Sequence, residues 1–256
     1  MLVLSPTYPE ALLNKKEYLA GGIIAAFECK LTLKSEHLKK TVENAAIIRR
    51  LIKPSPTKIN TPYSELNSIP RYGLLAHSHV WKREGSEPIV NIEKCLFESE
   101  QEVVNHPKEL LDLICVSDLT SWHTNKLIMA GKHSLAHMDS RYKHLGTFWE
   151  KLKSDGGLVE TVHVAFAESF QQTEDSKRLF TPIGSFLTSL MEIISWEDPD
   201  LRSIAEYFIL TNLLGAGKGQ CRIWDLKVFS EGVQRQILNE KHLFSLGRWN
   251  EWGRHF

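Results

Sequence analysis

The segment Gly22 to Leu33 reads Gly-Ile-Ile-Ala-Ala-Phe-Glu-Cys-Lys-Leu-Thr-Leu, and it decides the fold that the sequence predicts. Its near-continuous apolar run becomes alternating toward the end, which is typical of a central strand that leaves the core. Ser35 then offers an N-cap for a helix. Apolar residues recur at helical spacing up to a break at two prolines, namely Leu38, Val42, Ala45, Ile48 and Ile52. The predicted order is strand, short turn and amphipathic helix.

The flanking segments predict further strands of the same sheet. Runs with strand character occur at residues 2–5, 72–81, 111–119 and 126–130, and a polar turn at residues 121–125 is expected to join the last two. An acidic helical stretch at residues 93–110 precedes the third run. We therefore expect an α/β fold with a mixed central sheet and helices on both faces.

The last third of the chain has a different pattern. Residues 182–194 and 201–214 are apolar-periodic with few strand signals, and one short strand is expected at residues 221–229. This contrast predicts two parts, an α/β core at residues 1–135 and a mainly helical C-terminal region at residues 136–256 packed on it.

Composition excludes several classes of protein. The 31 basic and 31 acidic side chains balance, so the overall field does not attract a polyanion, and any nucleic-acid site must be a local patch. The apolar runs are shorter than the roughly 20 residues of a membrane helix. The four cysteines have no pairing or metal-binding spacing, which predicts reduced thiols. Because no secretion signal is recognised either, we expect a cytoplasmic protein without a membrane partner.

Two charged residues stand toward the end of the central strand. Glu28 and Lys30 are separated by one residue, so both side chains emerge on the same face. Burying such charges is costly unless they serve a ligand or each other. A carboxylate suits Mg²⁺, and the ammonium can polarise an attacking water or neutralise charge on a phosphate. The main-chain carbonyl of Cys29 would be a further metal ligand, because the cation is hard. A surface ion pair at a strand end is the alternative.

A strand that ends Phe-Glu-Cys-Lys, followed by Leu-Thr-Leu, a polar turn and a basic helix, resembles the second half of the PD-(D/E)xK motif of restriction-endonuclease-like enzymes. The wider segment Leu2 to Ile52 resembles an uncharacterised group of bacterial proteins in that superfamily, associated with defence against phage. The resemblance implies a nuclease core that binds Mg²⁺ or Mn²⁺ and hydrolyses phosphodiesters. Glu28 and Lys30 would be its catalytic residues.

One part of the family's motif is not found. The family carries an aspartate on the strand before the ExK strand, and here that strand, Met1 to Leu4, has no acid. The corresponding position lies at or before Met1, and the helix and strand that open the family's core are missing as well. Either the N-terminal start is lacking, or the chain is a homologue that keeps the fold without the chemistry. Glu10, in the next loop, is one candidate substitute.

The helix after the motif is basic. Between residues 30 and 58, eight basic residues face two acidic ones, a local excess of six positive charges. Such a patch contacts a phosphate backbone without reading sequence. An ordinary solvated helix face is the alternative. The residues predicted to bind nucleic acid are Lys34, Lys39, Lys40, Arg49 and Arg50.

The histidine patterns are weaker evidence for a functional site. His133 and His137, near His123 and Asp139, are spaced for a helical zinc site, but no HExxH signature accompanies them and surface histidines are the preferred interpretation. His77 and His79 share a strand face, where they either line the cleft or are ordinary hydrogen-bonded residues.

Two other patterns have structural interpretations. Gly215 to Gly219 lacks the spacing of a phosphate-binding loop and is predicted to end the preceding helix. Four tryptophans could stack on bases or close a hydrophobic core, and a role in the core is the preferred interpretation. They are Trp196, Trp224, Trp249 and Trp252.

Together these patterns predict a nuclease that depends on Mg²⁺ or Mn²⁺ and hydrolyses nucleic acid, with DNA as the expected substrate. The rival hypothesis is a catalytically inactive homologue that binds nucleic acid or a protein. A third hypothesis is a subunit whose active site is completed by another chain, in a homo-oligomer or with a partner subunit.

Overall fold

A single sheet of seven strands organises the protein, as seen in a computed structural model that describes residues 1–52, 60–67, 69–131, 135–136, 138–171, 173–210 and 217–239. The strands lie side by side in chain order. They are β1 Leu2–Leu4, β2 Ile23–Leu33, β3 Arg71–His79, β4 Leu113–Val116, β5 Thr120–Ala130, β6 Gly157–Phe166 and β7 Gly217–Asp225. The neighbours β2, β3 and β4 run parallel, and the other neighbouring pairs are antiparallel. The predicted α/β fold with a mixed sheet is confirmed.

Helices fill most of the connections. The α-helices are α1 Ser35–Leu51, α2 Pro62–Leu66, α3 Pro88–Val103, α4 Asp139–Tyr142, α5 Thr147–Asp155, α6 Glu174–Leu179, α7 Pro182–Glu197, α8 Arg202–Leu210 and α9 Glu231–Asn239. Short 3₁₀ turns include Glu10–Leu12, Pro107–Glu109 and Glu168–Phe170. None of the helices in the described ranges is both long enough and apolar enough to cross a membrane.

Alternate residues of the central strands enter two separate cores. Leu74 of β3 packs with Leu38 of α1 and Leu96 of α3 on one face of the sheet. On the other face Phe27 of β2 packs against Phe186 of α7, with ring centroids 5.2 Å apart. Because side chains alternate along a strand, one apolar run fills both cores, and the predicted helices on both faces are confirmed.

The parallel strands are connected by α1 and α3, as parallel pairing requires. Gly73 lets β3 and β4 approach closely, because a Cβ at this position would lie 2.2 Å from the carbonyl oxygen of Leu113. This close packing fixes β3 beside β2, where the predicted site residues lie.

The predicted turn at residues 121–125 is wrong, because these residues belong to β5 and are buried. Their polar side chains have partners inside the fold. The hydroxyl of Ser121 lies 2.9 Å from that of Ser185 in α7, and Thr124 lies 2.7 Å from Nδ1 of His163 in β6. Satisfied hydrogen bonds allow polar residues in a buried strand.

The mainly helical region predicted at residues 136–256 also contains two strands of the main sheet. Residues 121–130 of β5 pair with residues 157–166 of β6, so the sheet continues through the boundary predicted after residue 135. The last strand is β7, which begins at Gly217 and not at Cys221. The part of the glycine-rich segment that is described, Gly217 to Gly219, is therefore strand, and residues 215–216 lie outside the described ranges.

Candidate functional site

Glu28 and Lys30 form an ion pair on β2. The Lys30 Nζ atom lies 3.2 Å from Oε2 of Glu28. The Glu28 side chain is 16% exposed and that of Lys30 is 30% exposed, so both charged groups are partly buried. The predicted juxtaposition of these two residues is present.

Two neutral donors hold the other oxygen of Glu28. Asn44 of α1 donates from Nδ2 to Oε1 at 2.8 Å, and the Tyr72 hydroxyl donates to the same oxygen at 3.1 Å. Tyr72 lies opposite Ala26 on the neighbouring strand, so it is diagonal to Glu28 on one face of the sheet. Each carboxylate oxygen of Glu28 thus has its own set of partners.

The environment of Glu28 favours its charged form. Burial raises the pKa of the carboxyl, but the hydrogen bonds from Asn44, Lys30 and Tyr72 and the charge of Lys30 together bring the pKa below its ordinary value. Burial, followed by the Glu28 charge, raises the pKa of Tyr72. The tyrosine therefore stays protonated and keeps its role as donor.

Glu28 fits a hard cation, because such a cation prefers carboxylate oxygens as ligands. The oxygen that faces Lys30 is not occupied by the two neutral hydrogen-bond donors. In the described ranges, no three histidine, cysteine or acidic side chains lie close enough together to hold a metal ion. A cation at Glu28 would therefore depend on one carboxylate side chain and on oxygens from the main chain, water or substrate. Cys29, between the two charged residues, is exposed and its thiol lies 3.8 Å from the amino terminus.

Four of the five basic residues predicted to bind nucleic acid lie on the surface, and each is paired with an acid. Lys39 contacts Glu102 at 2.8 Å, and Arg50 makes two hydrogen bonds to Glu109 at 2.9 and 2.8 Å. The remaining pairs are Lys34 with Glu36 at 3.6 Å and Lys40 with Glu43 at 3.5 Å. Two of these acids, Glu102 and Glu109, come from other elements and offset part of the local positive charge that the sequence predicts.

Arg49 is the fifth of these residues, and the structure places it inside the protein. Its side chain is 0% exposed and forms a salt bridge with Asp112, just before β4. It is not part of the basic surface. Arg49 continues the buried stripe of α1, at helical spacing from Leu38, Val42 and Ala45, and an arginine in such a stripe needs a buried acid.

Asp112 joins three cations at the centre of the fold. Arg71 and Lys126 each approach Oδ1 of Asp112 at 3.4 Å, in addition to the Arg49 salt bridge. Burial raises the pKa of Asp112, but the charges of Arg49, Lys126 and Arg71 outweigh burial and hold the pKa well below its ordinary value. Burial lowers the pKa of Lys126 to about 8.

The buried cluster of Arg49, Arg71, Asp112 and Lys126 is connected to Glu28 through Tyr72. The amide of Tyr72 donates to Oδ2 of Asp112 at 2.9 Å, and the amide of Asp112 donates to the carbonyl of Tyr72 at 2.8 Å. The cluster therefore fixes the backbone of the residue whose hydroxyl orients Glu28. Sequence reasoning missed this role, although a single aspartate within the apolar run Leu110 to Val116 was a signal.

The other sequence candidates do not join this site. Glu10 lies in an exposed 3₁₀ turn and forms no metal-binding group with Glu28. β1 pairs with residues 23–26 of β2 and contains no acidic side chain. His77 contacts Ser117, whose hydroxyl donates to the His77 carbonyl at 2.7 Å. His79 is buried near Trp81.

The remaining motifs have structural partners where they are described. Trp196 stacks on Tyr63 with ring centroids 4.6 Å apart, and Trp224 is buried and donates to Thr161 at 2.9 Å. These contacts agree with tryptophans that close a core. Asp139 accepts a hydrogen bond from Trp149 at 2.6 Å. Four residues lie outside the described ranges, His133, His137, Trp249 and Trp252.

Comparison with known proteins finds no matching family model and no matching curated protein. Among solved structures, the apo form of NucC from E. coli MS115-1 is similar, with 19% identity, a TM-score of 0.33 and coverage of 48% of this chain and 53% of that chain. The cAAA-bound form of NucC from P. aeruginosa ATCC27853 has 21% identity and a TM-score of 0.33, with coverage of 48% and 50%. The chain thus spans about half the length of these structures, and the functional argument depends on its own site.

Proposed function

We propose that this protein is a divalent-metal-dependent nuclease that hydrolyses phosphodiester bonds of nucleic acid, with DNA as its substrate. The observation that carries the proposal is the Glu28 and Lys30 pair, in which an oriented, charged carboxylate lies 3.2 Å from a partly exposed ammonium. Hydrolysis of a phosphodiester needs both an oxygen ligand for a cation and a positive group near the developing negative charge.

In this proposal Glu28 binds Mg²⁺ or Mn²⁺, and the carbonyl of Cys29 is a second oxygen ligand. The bound cation would supply an activated water and neutralise phosphate charge. The Lys30 ammonium donates a hydrogen bond to a phosphate oxygen or to the attacking water. Asn44 and Tyr72 act as positioning residues, because their hydrogen bonds hold Oε1, and Oε2, which lies 3.2 Å from Lys30, would be the oxygen that binds the cation.

The surface of α1 supports nucleic-acid binding as part of the proposal. The side chains of Lys34, Lys39 and Lys40 are 53, 52 and 64% exposed, and that of Arg50 is 44% exposed. Exposed ion pairs contribute only about 0 to 1 kcal/mol, so phosphates can replace the acidic partners of the three lysines at little cost. Arg50 is held more firmly, because its partner Glu109 is only 5% exposed. Arg49 is excluded from this surface because it is buried.

A second candidate function is a binding module without catalysis. It is supported by the single carboxylate at the site, because Glu28 belongs to no group of three potential metal ligands in the described ranges. In a related version, a second copy or a partner subunit supplies the further acid. Measured affinity for Mn²⁺ separates these cases, since a module without catalysis needs no cation at Glu28.

The test is cleavage of labelled double-stranded and single-stranded DNA by the purified protein, with Mg²⁺, with Mn²⁺ and with excess chelator. Cleavage is expected only with a metal ion, and Lys30→Ala and Glu28→Gln should each abolish it while leaving the thermal unfolding transition in place. Lys177→Ala, which changes an exposed lysine in α6, is the matched control and should cleave normally. Equal cleavage by Lys30→Ala would remove the assignment.

A further inference from the structure

A cleft lies between α3 and β7, and neither Glu28 nor Lys30 lines it. It has a volume of about 560 Å³, which is within the range of small-molecule sites. We define the α3–β7 cleft by six of the residues that line it, Glu87, Ile89, Val90, Glu93, Phe170 and Lys218. None of them contacts Glu28, Lys30 or the buried Asp112 cluster, so the nuclease proposal does not account for this cleft.

The walls of the α3–β7 cleft are largely apolar. Ile89 and Val90 come from the first turn of α3, and Phe170 comes from the 3₁₀ turn after β6. Val90 is 52% exposed, so this apolar side chain of α3 lies at the surface. Such a surface can bury the apolar body of a ligand.

One carboxylate on α3 lines this cleft without a salt bridge in the described part of the chain. Glu93 is half-buried, and its Oε1 accepts a hydrogen bond from Nε1 of Trp122 at 3.2 Å. Burial raises the pKa of Glu93 and outweighs the hydrogen bond from Trp122 and the charge of His163, which both lower it. No ion pair in the described part of the chain includes Glu93.

The other acids of α3 differ from Glu93 in this respect. Glu98 pairs with Lys94 at 3.9 Å, Glu100 with His163 at 2.7 Å, and Glu102 with Lys39 at 2.8 Å. The one lysine that lines the α3–β7 cleft, Lys218, lies over the Phe170 ring with its Nζ 4.8 Å from the centroid. Glu93 is therefore the acid of α3 for which the described part of the chain shows no salt bridge, although the charge of His163 acts on it.

We propose that the α3–β7 cleft binds a small hydrophobic amine, whose apolar group packs on Ile89, Val90 and Phe170 and whose protonated nitrogen pairs with Glu93. An uncharged ligand of the same shape would bury the carboxylate further without compensation. An anionic ligand would be attracted by Lys218 but repelled by the two carboxylates, Glu87 and Glu93. A cation without an apolar group would leave the walls in contact with water.

The Trp122 indole offers a specific reporter, because its N–H donates to Glu93. Phenethylamine is titrated into ¹⁵N-labelled full-length protein, and the Trp122 indole resonance is followed by NMR, with Trp122→Phe used to assign it. A saturable shift is expected with the amine. The alcohol and carboxylate analogues should bind at least about tenfold more weakly.

Variants separate this site from a general surface effect. Glu93→Gln keeps an acceptor for Trp122 but removes the charge, and it should weaken amine binding by about tenfold or more. Val90→Trp should block the cleft. Glu36→Gln is the matched control, because it removes one exposed carboxylate from α1, and it should leave binding unchanged.

Three results would overturn the proposal. These are the absence of saturable binding, equal affinity for the uncharged analogue, and unchanged amine affinity in Glu93→Gln. Capture of a basic peptide by the cleft, with no binding of the free amine, would also reject it in favour of a protein-docking surface. Because the readout is binding at Trp122, these outcomes are independent of nuclease activity.

Discussion

At the scale of single residues, the two carboxylate oxygens of Glu28 have different partners. The two neutral donors, Asn44 and Tyr72, occupy Oε1, while Lys30 lies at Oε2. Neutral donors stabilise the charged form without cancelling its charge, so the carboxylate can still attract a cation. Lys30 provides the only positive charge among these three partners. The arrangement therefore keeps Glu28 ionised and oriented.

We predict that Tyr72→Phe destabilises the protein by about 1 kcal/mol at pH 7, the usual contribution of one hydrogen bond. The folded-state pKa of Glu28 lies below its unfolded value, so this group contributes stability above the unfolded pKa and loses it as the pH falls through the folded pKa. The difference between wild type and variant should therefore be largest near neutral pH and shrink in acid. Urea unfolding at a series of pH values measures it.

Tyr18→Phe is the control for this prediction. The Tyr18 hydroxyl donates to the main-chain carbonyl of Leu13 at 3.2 Å, a bond with no titrating partner. Its effect on the free energy of unfolding should not change between pH 7 and pH 4. An equally pH-independent effect of Tyr72→Phe would show that the hydroxyl does not act through Glu28.

At the scale of elements, α1 is held against the sheet by polar contacts along its length. Asn44 contacts Glu28 on β2, Arg49 contacts Asp112 before β4, and Arg50 contacts Glu109 in the preceding 3₁₀ turn. The Asp112 cluster also includes Lys126 of β5, which donates to the carbonyl of Leu66 at 3.0 Å. A change in this cluster therefore affects several elements at once.

We predict that Lys126 makes the stability of the protein rise with pH in mildly alkaline solution. Its pKa is about 8 in the folded protein against an ordinary value of 10.5, because the site is buried. Between these values the unfolded chain binds more protons than the folded protein, so the free energy of unfolding increases with pH. Relative to Lys126→Met, wild type should gain at most about 3 kcal/mol over this window, measured by urea unfolding.

The exposed Lys94, whose side chain is 72% exposed, provides the control variant Lys94→Met. This variant should show the same alkaline rise as wild type. A difference between wild type and Lys126→Met that stays constant from pH 7 to pH 10.5 would contradict the prediction.

We also predict that α1 contacts the nucleic-acid backbone. The double variant Lys39→Ala and Lys40→Ala should make the plot of log affinity against log salt concentration less steep. The magnitude of its negative slope should fall by about 2, since each lost phosphate contact removes about 0.9. Binding should weaken equally for different sequences. Fluorescence anisotropy with two unrelated duplexes measures both effects.

A double variant in other helices, Lys177→Ala and Arg235→Ala, serves as the comparison for α1. Its salt slope should equal that of wild type. A reduction of similar size in this control would indicate that net charge, and not the α1 surface, determines binding.

At the scale of the whole molecule, the sheet extends through both halves of the chain. β6 pairs with β5 along ten residues and with β7 on its other side, so residues 157–166 are internal to the sheet. The core on one face includes Leu74 and Val159 as well as Trp224, which come from distant parts of the sequence. Such shared burial couples the two halves.

We predict that residues 1–135 do not fold cooperatively on their own. Without β6, the edge of β5 and the apolar side chains that it shares with β6 would be exposed, at a cost of about 25 cal/mol for each Å². The fragment should lack a sharp unfolding transition in circular dichroism and should aggregate in size-exclusion chromatography. The full chain should unfold in a single transition; a monomeric fragment with its own sharp transition would contradict this.

The sequence could predict β2, α1 and the Glu28 and Lys30 pair, because each depends on local patterning. It could not predict Asn44 and Tyr72 as partners, since neither lies near Glu28 in the chain. The sequence of β6 also favours a strand, because it contains Val159, Val162 and Val164. The apolar helical segments that follow it nevertheless led to the prediction of a mainly helical region. Ser121 to Asn125 were mistaken for a turn because their hydrogen-bond partners lie on α7 and β6.

By itself, the sequence determined the periodicity of the central strand and its helix, and the placement of a carboxylate and an ammonium on one strand face. Only the tertiary structure decided that Arg49 is buried, that Asp112 collects three cations, and that α3 and β7 leave a cleft around Glu93. The reason is physical: strand and helix periods act over a few residues, whereas the Arg49 and Asp112 pair joins positions 63 residues apart. Folding alone determines which charges meet.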